Sequence, residues 1–197
     1  MSLAENKRLL RQTAQNKRNE IATKASSESD NLLATRIVQL IQSFRNVRTV
    51  SGFLSIGNEI ETLPSLNALA DAGYQTCLPV VLEKDSPLRF RAWAQGEPLE
   101  SGPLKTRHPI SDAPDVIPDI LLVPLLAYDL RGYRLGWGGG FYDRTLGAYQ
   151  SEDRSIIAVG IGYDDQKVDQ VPVDAFDMAM DWIVTEKQTY EIMKAGS

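Results

Sequence analysis

The feature that most constrains the fold is the uninterrupted apolar run Ile120-Leu121-Leu122-Val123. Strands of a parallel sheet that are buried on both faces show this continuous apolar pattern, whereas half-exposed strands alternate apolar and polar residues. We therefore predict that the run is a central strand of a mainly parallel sheet. Such a strand requires a cover of other elements on each face of the sheet.

The rest of the chain alternates helical and strand patterns around that run. Helices are predicted over 5–23, after Ser26-Ser27, from Thr62 to Gly73, from about Phe141 and from Glu186, and strands over 49–55, 75–82, 89–93, 155–161 and 181–184. This alternation predicts an α/β fold, a three-layer sandwich with helices on both faces of a mainly parallel sheet. Residues 1–197 are expected to form a single domain. The Pro- and Gly-rich stretch 95–119 is interpreted as an irregular excursion within it.

Composition excludes several classes of protein. Hydrophobic residues make up 43% and charged residues 24%, which is typical of globular chains. No run approaches the roughly 20 apolar residues of a membrane span, and the N-terminus lacks the apolar core of a secretory signal. The single cysteine, Cys77, can form no internal disulfide, so we expect a buried thiol and a cytoplasmic protein. The single histidine, His108, gives little support to a histidine-based site.

The net charge of −5 hides an N-terminal excess of positive charge. Residues 1–24 carry a net charge of +4, which leaves −9 for the rest of the chain. A short basic arm does not favour general nucleic-acid binding, which needs a broad basic surface, but it could hold a small polyanion.

The first predicted helix has two stripes, which lie about 60° apart at 100° per residue. Lys7, Arg11 and Arg18 form the basic stripe. The apolar stripe consists of Leu10, Ala14 and Ile21. We expect the apolar stripe to dock on the rest of the domain and the cations to lie at the edge of that contact, facing whatever lies beside the helix. By pattern alone, the basic stripe could equally be a solvated helix face.

The strongest chemical signal is the glycine-rich segment after the predicted central strand. Four of the five residues in 136–140 are glycine, so several backbone N–H groups can converge where a Cβ would obstruct them. The predicted helix after them adds its positive end, and open α/β sheets bind ligands at this edge. We interpret the segment as an anion cradle, with Arg134 as a phosphate-binding cation and Trp137 as a cover for a ligand ring.

The glycine segment alone leaves other interpretations open. A glycine-rich turn without a ligand remains possible, while the G-x-G-x-x-G and Walker patterns are both absent. The same architecture and anion loop would also suit a sugar-phosphate isomerase, which needs no nucleotide.

The segment Arg134-Leu135-Gly136-x-Gly138-x-Gly140-x-Tyr142-Asp143 resembles the signature of 5-formyltetrahydrofolate cyclo-ligases, also called 5,10-methenyltetrahydrofolate synthetases. Further segments that match in the same order span nearly the whole chain: Lys7-x-x-x-Arg11, Phe53-Leu54-Ser55, Glu59-Ile60-Glu61-Thr62, Leu78-Pro79, Val171-Pro172, Asp177 and Val184-Thr185-Glu186. The resemblance implies an ATP- and magnesium-dependent cyclisation of 5-formyltetrahydrofolate to 5,10-methenyltetrahydrofolate, through a phosphorylated formyl group (an iminium phosphate), with release of ADP and phosphate. A non-enzymatic folate- or nucleotide-binding protein is the remaining alternative.

The resemblance also implies which residues form the site. The ATP-binding positions are Lys7, Arg11, Arg134, Leu135, Gly136, Trp137, Gly138, Gly139, Gly140, Phe141 and Tyr142. The folate-binding positions are Leu54, Glu59, Trp137, Gly138, Gly139, Gly140 and Phe141. Arg134 and Tyr142 are the implied catalytic residues, and Asp143 and Asp177 the implied magnesium ligands. From pattern alone, Asp143 could instead complement a helix dipole and Asp177 could stabilise a turn.

Three positions depart from the pattern of many relatives. Some members have a lysine at the position of Gly139 and a tyrosine at that of Phe141, so neither a charge at 139 nor a phenol at 141 can take part here. Phe176 stands where a histidine is expected. The implied partners are small molecules, without nucleic acid or membrane, and a monomer is expected.

Topology makes one further prediction about the site. Glu59 follows the strand predicted over 49–55, and in a parallel sheet its loop opens at the same edge as the loop around Gly138. We expect the two loops to share one cleft.

Overall fold

The computed structural model describes residues 2–103 and 106–193. Its helices are α1 (Leu3–Ala22), α2 (Ser27–Ser43), α3 (Leu63–Asp71) and α4 (Phe141–Ser151). Its strands are β1 (Thr49–Ser51), β2 (Gln75–Val80), β3 (Arg89–Ala92), β4 (Leu99–Ser101), β5 (Arg107–Pro109), β6 (Ile120–Pro124), β7 (Ala127–Tyr128), β8 (Arg134–Leu135), β9 (Ile157–Ile161), β10 (Trp182–Val184) and β11 (Thr189–Glu191). None of the helices in the described ranges has the length and apolarity required to cross a bilayer.

One seven-stranded sheet organises the fold, in the order β11-β10-β9-β6-β1-β2-β3. The five inner strands run parallel, and the two edge strands β3 and β11 pair antiparallel to their neighbours. Strand β6 lies at the centre, with Leu121 opposite Ser51 on one side and Ala158 on the other. The prediction of a central strand in a mainly parallel sheet is confirmed.

The apolar run of β6 is continuous because its side chains alternate between two buried layers. Leu122 faces α2 and α3, where it joins a cluster that includes Leu33, Ile37, Ile41, Val50, Leu69 and Val159. Leu121 and Val123 face α4, in a second cluster with Cys77, Phe90, Leu146 and Ile183. Burying each such side chain contributes about 1.5–3 kcal/mol, so both faces of the strand favour apolar residues. The predicted α/β sandwich with helices on both faces is confirmed.

Helix α1 docks its apolar stripe as predicted. Leu10 and Ala14 pack in a third cluster with Leu126, Leu135 and Val171, beyond the carboxyl end of β6. Ile21 packs against the first cluster. This contact lays α1 beside the glycine segment, with the basic stripe directed toward it.

The helix predicted from Glu186 is wrong for the part that the structure describes. The chain instead turns and forms β11, which pairs antiparallel with β10. The Thr185 hydroxyl stabilises the turn by accepting a hydrogen bond from the Gln188 amide at 2.8 Å. The rest of the predicted helix, 194–197, lies outside the described residues.

Other boundaries differ in smaller ways. Strand β1 ends at Ser51 rather than at residue 55, and the hydroxyl of Thr62 donates to the Phe53 carbonyl instead of capping α3. Helix α3 ends at Asp71, two residues before Gly73, whose φ of +89° provides the left-handed turn that glycine favours. The excursion 95–119 is not wholly irregular, because β4 and β5 pair within it.

Candidate active site

The first cation of α1 reaches across to the loop before β10. The Lys7 ammonium donates to Asp174 at 2.8 Å and to Asp177. Burial lowers the pKa of Lys7, but its hydrogen bonds to the two carboxylates outweigh this and leave the pKa above its usual value. The bond to Lys7 also lowers the pKa of Asp174. The first turns of α1 and the loop before β10 therefore meet at this side of the site through an ion-paired cluster.

The second cation lies against the glycine segment. Arg11 Nε donates to the Gly136 carbonyl at 3.0 Å. Gly138 has a φ of +97°, and a Cβ there would lie 3.3 Å from the Arg11 guanidinium carbon. The glycine therefore permits both the left-handed backbone and the close approach of the arginine.

Helix α4 begins directly after the glycine segment. Its N-cap, Gly140, has a φ of +67°, and no side chain caps the first turn. The initial N–H groups of a helix have no partner within it, so an uncapped N-terminus beside a glycine segment is suited to bind an anion. The Arg144 side chain lies beside the segment, where its Nη2 donates to the Gly139 carbonyl at 2.7 Å and its guanidinium covers the Phe141 ring at 5.0 Å. Sequence reasoning gave Arg144 no role.

Arg134 is held by protein groups at the end of β8. Its side chain is 5% exposed, and Nη1 contacts Asp143 Oδ1 at 3.1 Å and the Met178 carbonyl at 3.0 Å. Asp143 Oδ1 also accepts the Met178 amide at 3.0 Å. The Arg134–Asp143 pair thus joins the glycine segment to the loop that contains Asp177.

Asp143 and Asp177, the two implied magnesium ligands, lie near each other but do not form a protein-only metal cage. Each carboxylate already accepts protein donors, namely Arg134 and Met178 for Asp143, and Lys7 and Asp174 for Asp177. Across residues 2–103 and 106–193, no group of three or more His, Cys, Asp and Glu side chains could hold a metal ion. Magnesium usually takes one or two carboxylates together with waters and substrate phosphates. The donor set therefore fits a metal that arrives with a nucleotide.

Glu59 meets the glycine segment directly. The indole N–H of Trp137 donates to Glu59 Oε1 at 3.2 Å, while the Ile56 amide donates to Oε2 at 2.9 Å. The Glu59 side chain is only 7% exposed. The loops around Glu59 and Gly138 therefore lie against each other at this edge of the sheet, and the cleft that they were expected to share stays a prediction.

Arg18 contacts the same loops, although the sequence placed it only in the basic stripe and gave it no role. It is 1% exposed; Nε donates to Asn58 at 2.8 Å, Nη1 pairs with Glu59 at 3.4 Å, and the guanidinium lies 5.1 Å from the Trp137 ring centroid. Burial lowers the pKa of Arg18, an effect that the Glu59 carboxylate opposes. The signal that could have identified Arg18 is its alignment with Lys7 and Arg11 on one face of α1.

The two remaining predicted site residues are Tyr142 and Leu54, and their surroundings differ. Burial, and then the charge of Glu59, raise the pKa of the Tyr142 phenol, whereas Arg134 lowers it. The Tyr142 phenol is protonated at neutral pH, as an ordinary tyrosine is, and can act as a donor. Leu54, in contrast, packs against an apolar cluster of Leu66, Leu78 and Trp93.

Comparisons with known proteins agree with this geometry. The model of the 5-formyltetrahydrofolate cyclo-ligase family matches residues 3–186. The 5-formyltetrahydrofolate cyclo-ligase of Escherichia coli K12 is 37% identical over 73% of this chain and 80% of its own, and that of Haemophilus influenzae is 31% identical over 83% and 95%. The solved structure of Aquifex aeolicus 5,10-methenyltetrahydrofolate synthetase has a TM-score of 0.74 and 26% identity, covering 97% of this chain and 95% of that one. The chain belongs to the 5-formyltetrahydrofolate cyclo-ligase family, as the glycine signature between β8 and α4 predicts.

Proposed function

We propose that this protein cyclises 5-formyltetrahydrofolate to 5,10-methenyltetrahydrofolate and converts one ATP to ADP and phosphate in each cycle. The observation that carries the proposal is the contact between the Trp137 indole and Glu59, which places the glycine segment against the loop after β1. A ligase of this kind must hold a nucleotide and a second substrate side by side. Family membership and the proximity of the two loops both favour this function over a sugar-phosphate isomerase.

The reaction needs a leaving group that the formyl oxygen cannot provide by itself. In the proposed sequence, the formyl oxygen attacks the γ-phosphorus of ATP and ADP departs, which leaves an iminium phosphate. N10 then attacks the formyl carbon, the carbon–oxygen bond breaks, phosphate leaves and the N10 proton is lost. Phosphoryl transfer of this type depends on positioning and charge stabilisation rather than on a side-chain nucleophile.

The nucleotide side is assigned to groups that present positive charge or backbone N–H donors. These are Lys7, Arg11, Arg134, the segment 135–141 and the N-terminus of α4. The proposal is supported by the uncapped first turn of α4 and by the left-handed glycines 138 and 140. Tyr142, whose phenol is protonated at neutral pH, is proposed to donate a hydrogen bond to the reacting phosphate.

Magnesium is proposed to bind with the nucleotide, near Asp143 and Asp177. When bound, the metal would supply positive charge to the phosphate oxygens as negative charge shifts onto ADP. Lys7 is proposed to control access to one of these carboxylates, because its ammonium pairs with Asp177. If Lys7 turns toward a phosphate, that carboxylate becomes available to the metal or to its waters.

The folate side is assigned to Glu59, Leu54 and the residues of the glycine segment that face them. A carboxylate accepts the ring N–H and amino donors of a reduced pterin more strongly than a neutral acceptor does. We further propose that residues 1–197 act as one domain, as a monomer, in the reducing cytoplasm. In support of that compartment, the single cysteine of the sequence, Cys77, is a free and buried thiol.

The test is incubation of the protein with 5-formyltetrahydrofolate and Mg-ATP, with the near-ultraviolet absorbance of the methenyl product as the readout. We expect absorbance to rise only when ATP and magnesium are both present, with one ADP released per ring closed. Equal turnover without ATP would contradict the proposal. Binding of both ligands without turnover would instead support a non-enzymatic binding protein.

A further inference from the structure

The platform formed by the Arg18 and Glu59 side chains holds the indole of Trp137. The ring lies over the Arg18 guanidinium at 5.1 Å, and its N–H donates to Glu59 Oε1 at 3.2 Å. The platform itself is buried, whereas the indole is 53% exposed. Trp137 therefore covers a buried, charged surface while its other face remains open to solvent.

The platform has contacts that do not involve the indole. Asn58 accepts from Arg18 Nε at 2.8 Å, and the Ile56 amide donates to Glu59 Oε2 at 2.9 Å. The backbone beside Trp137 is held separately, because the Gly136 carbonyl accepts from Arg11 Nε at 3.0 Å. A rotation of the Trp137 side chain alone would therefore break its two contacts with the platform and leave these other contacts in place.

The indole contacts the platform in two ways: its flat face lies over the guanidinium, and its ring N–H donates to the carboxylate. The pyrimidine ring of a reduced pterin offers the same two features. A flat ring can stack on the buried guanidinium, and a charged acceptor strengthens the hydrogen bond. Because Glu59 Oε1 already serves both Arg18 and the indole N–H, the two rings cannot use the platform together.

We propose that the Arg18–Glu59 platform is the subsite for the pterin ring, that Arg18 is a substrate-binding residue, and that Trp137 occupies the subsite when substrate is absent. This inference rests on the proposed function. Sequence alone suggests the opposite role for Trp137, as a cover that adds contacts to the bound ring. In the proposed arrangement, Trp137 competes with the substrate and leaves the platform when the pterin binds.

The two roles of Trp137 predict opposite changes in affinity. If the indole occupies the platform, only a fraction of the molecules can bind the pterin. The apparent affinity for 5-formyltetrahydrofolate is then the intrinsic affinity multiplied by that fraction. Trp137→Ala should therefore bind 5-formyltetrahydrofolate about three- to tenfold more tightly than the wild type in calorimetric titration without nucleotide. Trp182→Phe, a change at a tryptophan that packs on Phe44, is the control and should leave the affinity unchanged. Arg18→Lys should weaken binding at least tenfold.

Hydrogen exchange of the indole N–H tests the same inference without a variant. We expect 5-formyltetrahydrofolate to speed exchange of the Trp137 indole N–H with water, as followed by NMR. The Trp93 indole, which donates to the Glu97 carbonyl at 3.1 Å, is the internal control and should not change.

Unchanged or weaker binding by Trp137→Ala, or unchanged or slower exchange of its indole N–H in the wild type, would overturn the inference. If Arg18→Lys fails to fold, the Trp137 measurements still decide. A wild-type protein that binds no 5-formyltetrahydrofolate would overturn the proposed function as well. Wild-type binding combined with a weakened Trp137→Ala variant would overturn the platform alone.

Discussion

The two ends of α1 contact the site in different ways. Near its start, Lys7 pairs with the exposed carboxylate of Asp174, whereas near its end Arg18 is 1% exposed and pairs with the buried Glu59. An exposed ion pair contributes about 0–1 kcal/mol, but removing one partner of a buried pair costs about 3–5 kcal/mol. The pair of Lys7 with Asp174, on the proposed nucleotide side, is therefore a contact that a ligand can exchange at small cost. The pair of Arg18 with Glu59, on the proposed folate side, is a preformed contact.

The largest expected effect tests whether ATP binding depends on the backbone conformation of the glycine segment. Gly138→Val places a branched side chain at a φ of +97°, next to the Arg11 guanidinium. We expect turnover to fall by at least a hundredfold and ATP binding to become undetectable in calorimetric titration, while 5-formyltetrahydrofolate still binds.

Gly147→Ala is the matched control for that change. Gly147 lies within α4, and a Cβ there would meet no atom within 4 Å. Activity should be retained, and unfolding should become harder by up to about 1 kcal/mol. Wild-type ATP affinity in Gly138→Val would show that the glycine segment does not contact the nucleotide.

The next effect tests the preformed folate side. Glu59→Gln replaces a charged acceptor by a neutral one beside the buried Arg18, at an expected cost of about 1–3 kcal/mol. We expect the affinity for 5-formyltetrahydrofolate to fall about ten- to a hundredfold and Tm to decrease, with ATP affinity nearly unchanged.

Glu61→Gln, two residues away, is the control for Glu59→Gln. Glu61 Oε1 accepts the amides of Thr62 and Leu63, and a glutamine oxygen can accept the same bonds. This variant should bind both ligands normally. An equal loss of ATP affinity in Glu59→Gln would mean that the two sides of the cleft are not separate.

A smaller effect is expected at the proposed metal position. Asp143→Asn retains an acceptor for the Met178 amide but removes the charge that faces Arg134. We expect a lower rate and a magnesium concentration for half-maximal rate that is raised about tenfold. Asp165→Asn, at an exposed carboxylate that pairs with Lys187, should leave both quantities unchanged. An unchanged magnesium dependence in Asp143→Asn would leave Asp143 with its pairing role only.

The smallest effect concerns the exposed pair at the start of α1. The pKa of Asp174 is lowered in the folded protein, so its pair with Lys7 stabilises the fold above the usual carboxyl pKa of about 3.8. That contribution is lost as the pH falls through the lowered folded value. Asp174→Asn should therefore reduce the unfolding free energy at pH 7 by less than about 1 kcal/mol after screening by solvent, and the difference should vanish near pH 2. Thermal unfolding across this pH range measures it, and a persistent difference at pH 2 would contradict the pairing.

The sequence was most informative where a long or unusual pattern was present. The apolar run of β6, the stripes of α1 and the glycines between β8 and α4 all lie where their patterns predict. The prediction from sequence was wrong after residue 185. A helix was predicted from Glu186, whereas the three-residue strand β11 forms at Thr189–Glu191. Three residues are too few to show a period, and pairing with β10 decides their conformation.

The basic residues of α1 show what only the tertiary structure decided. The sequence determined that α1 is a helix with a basic stripe, because period and charge are local properties. It could not show that Arg18 is buried and paired with a carboxylate, while Lys7 meets a partly exposed one. The carboxylate of Glu59 that Arg18 meets comes from a loop 41 residues away, and that loop is placed by the order of strands in the sheet. A local pattern thus determined which helix face carries the cations, and the topology of the sheet determined which partner each cation meets.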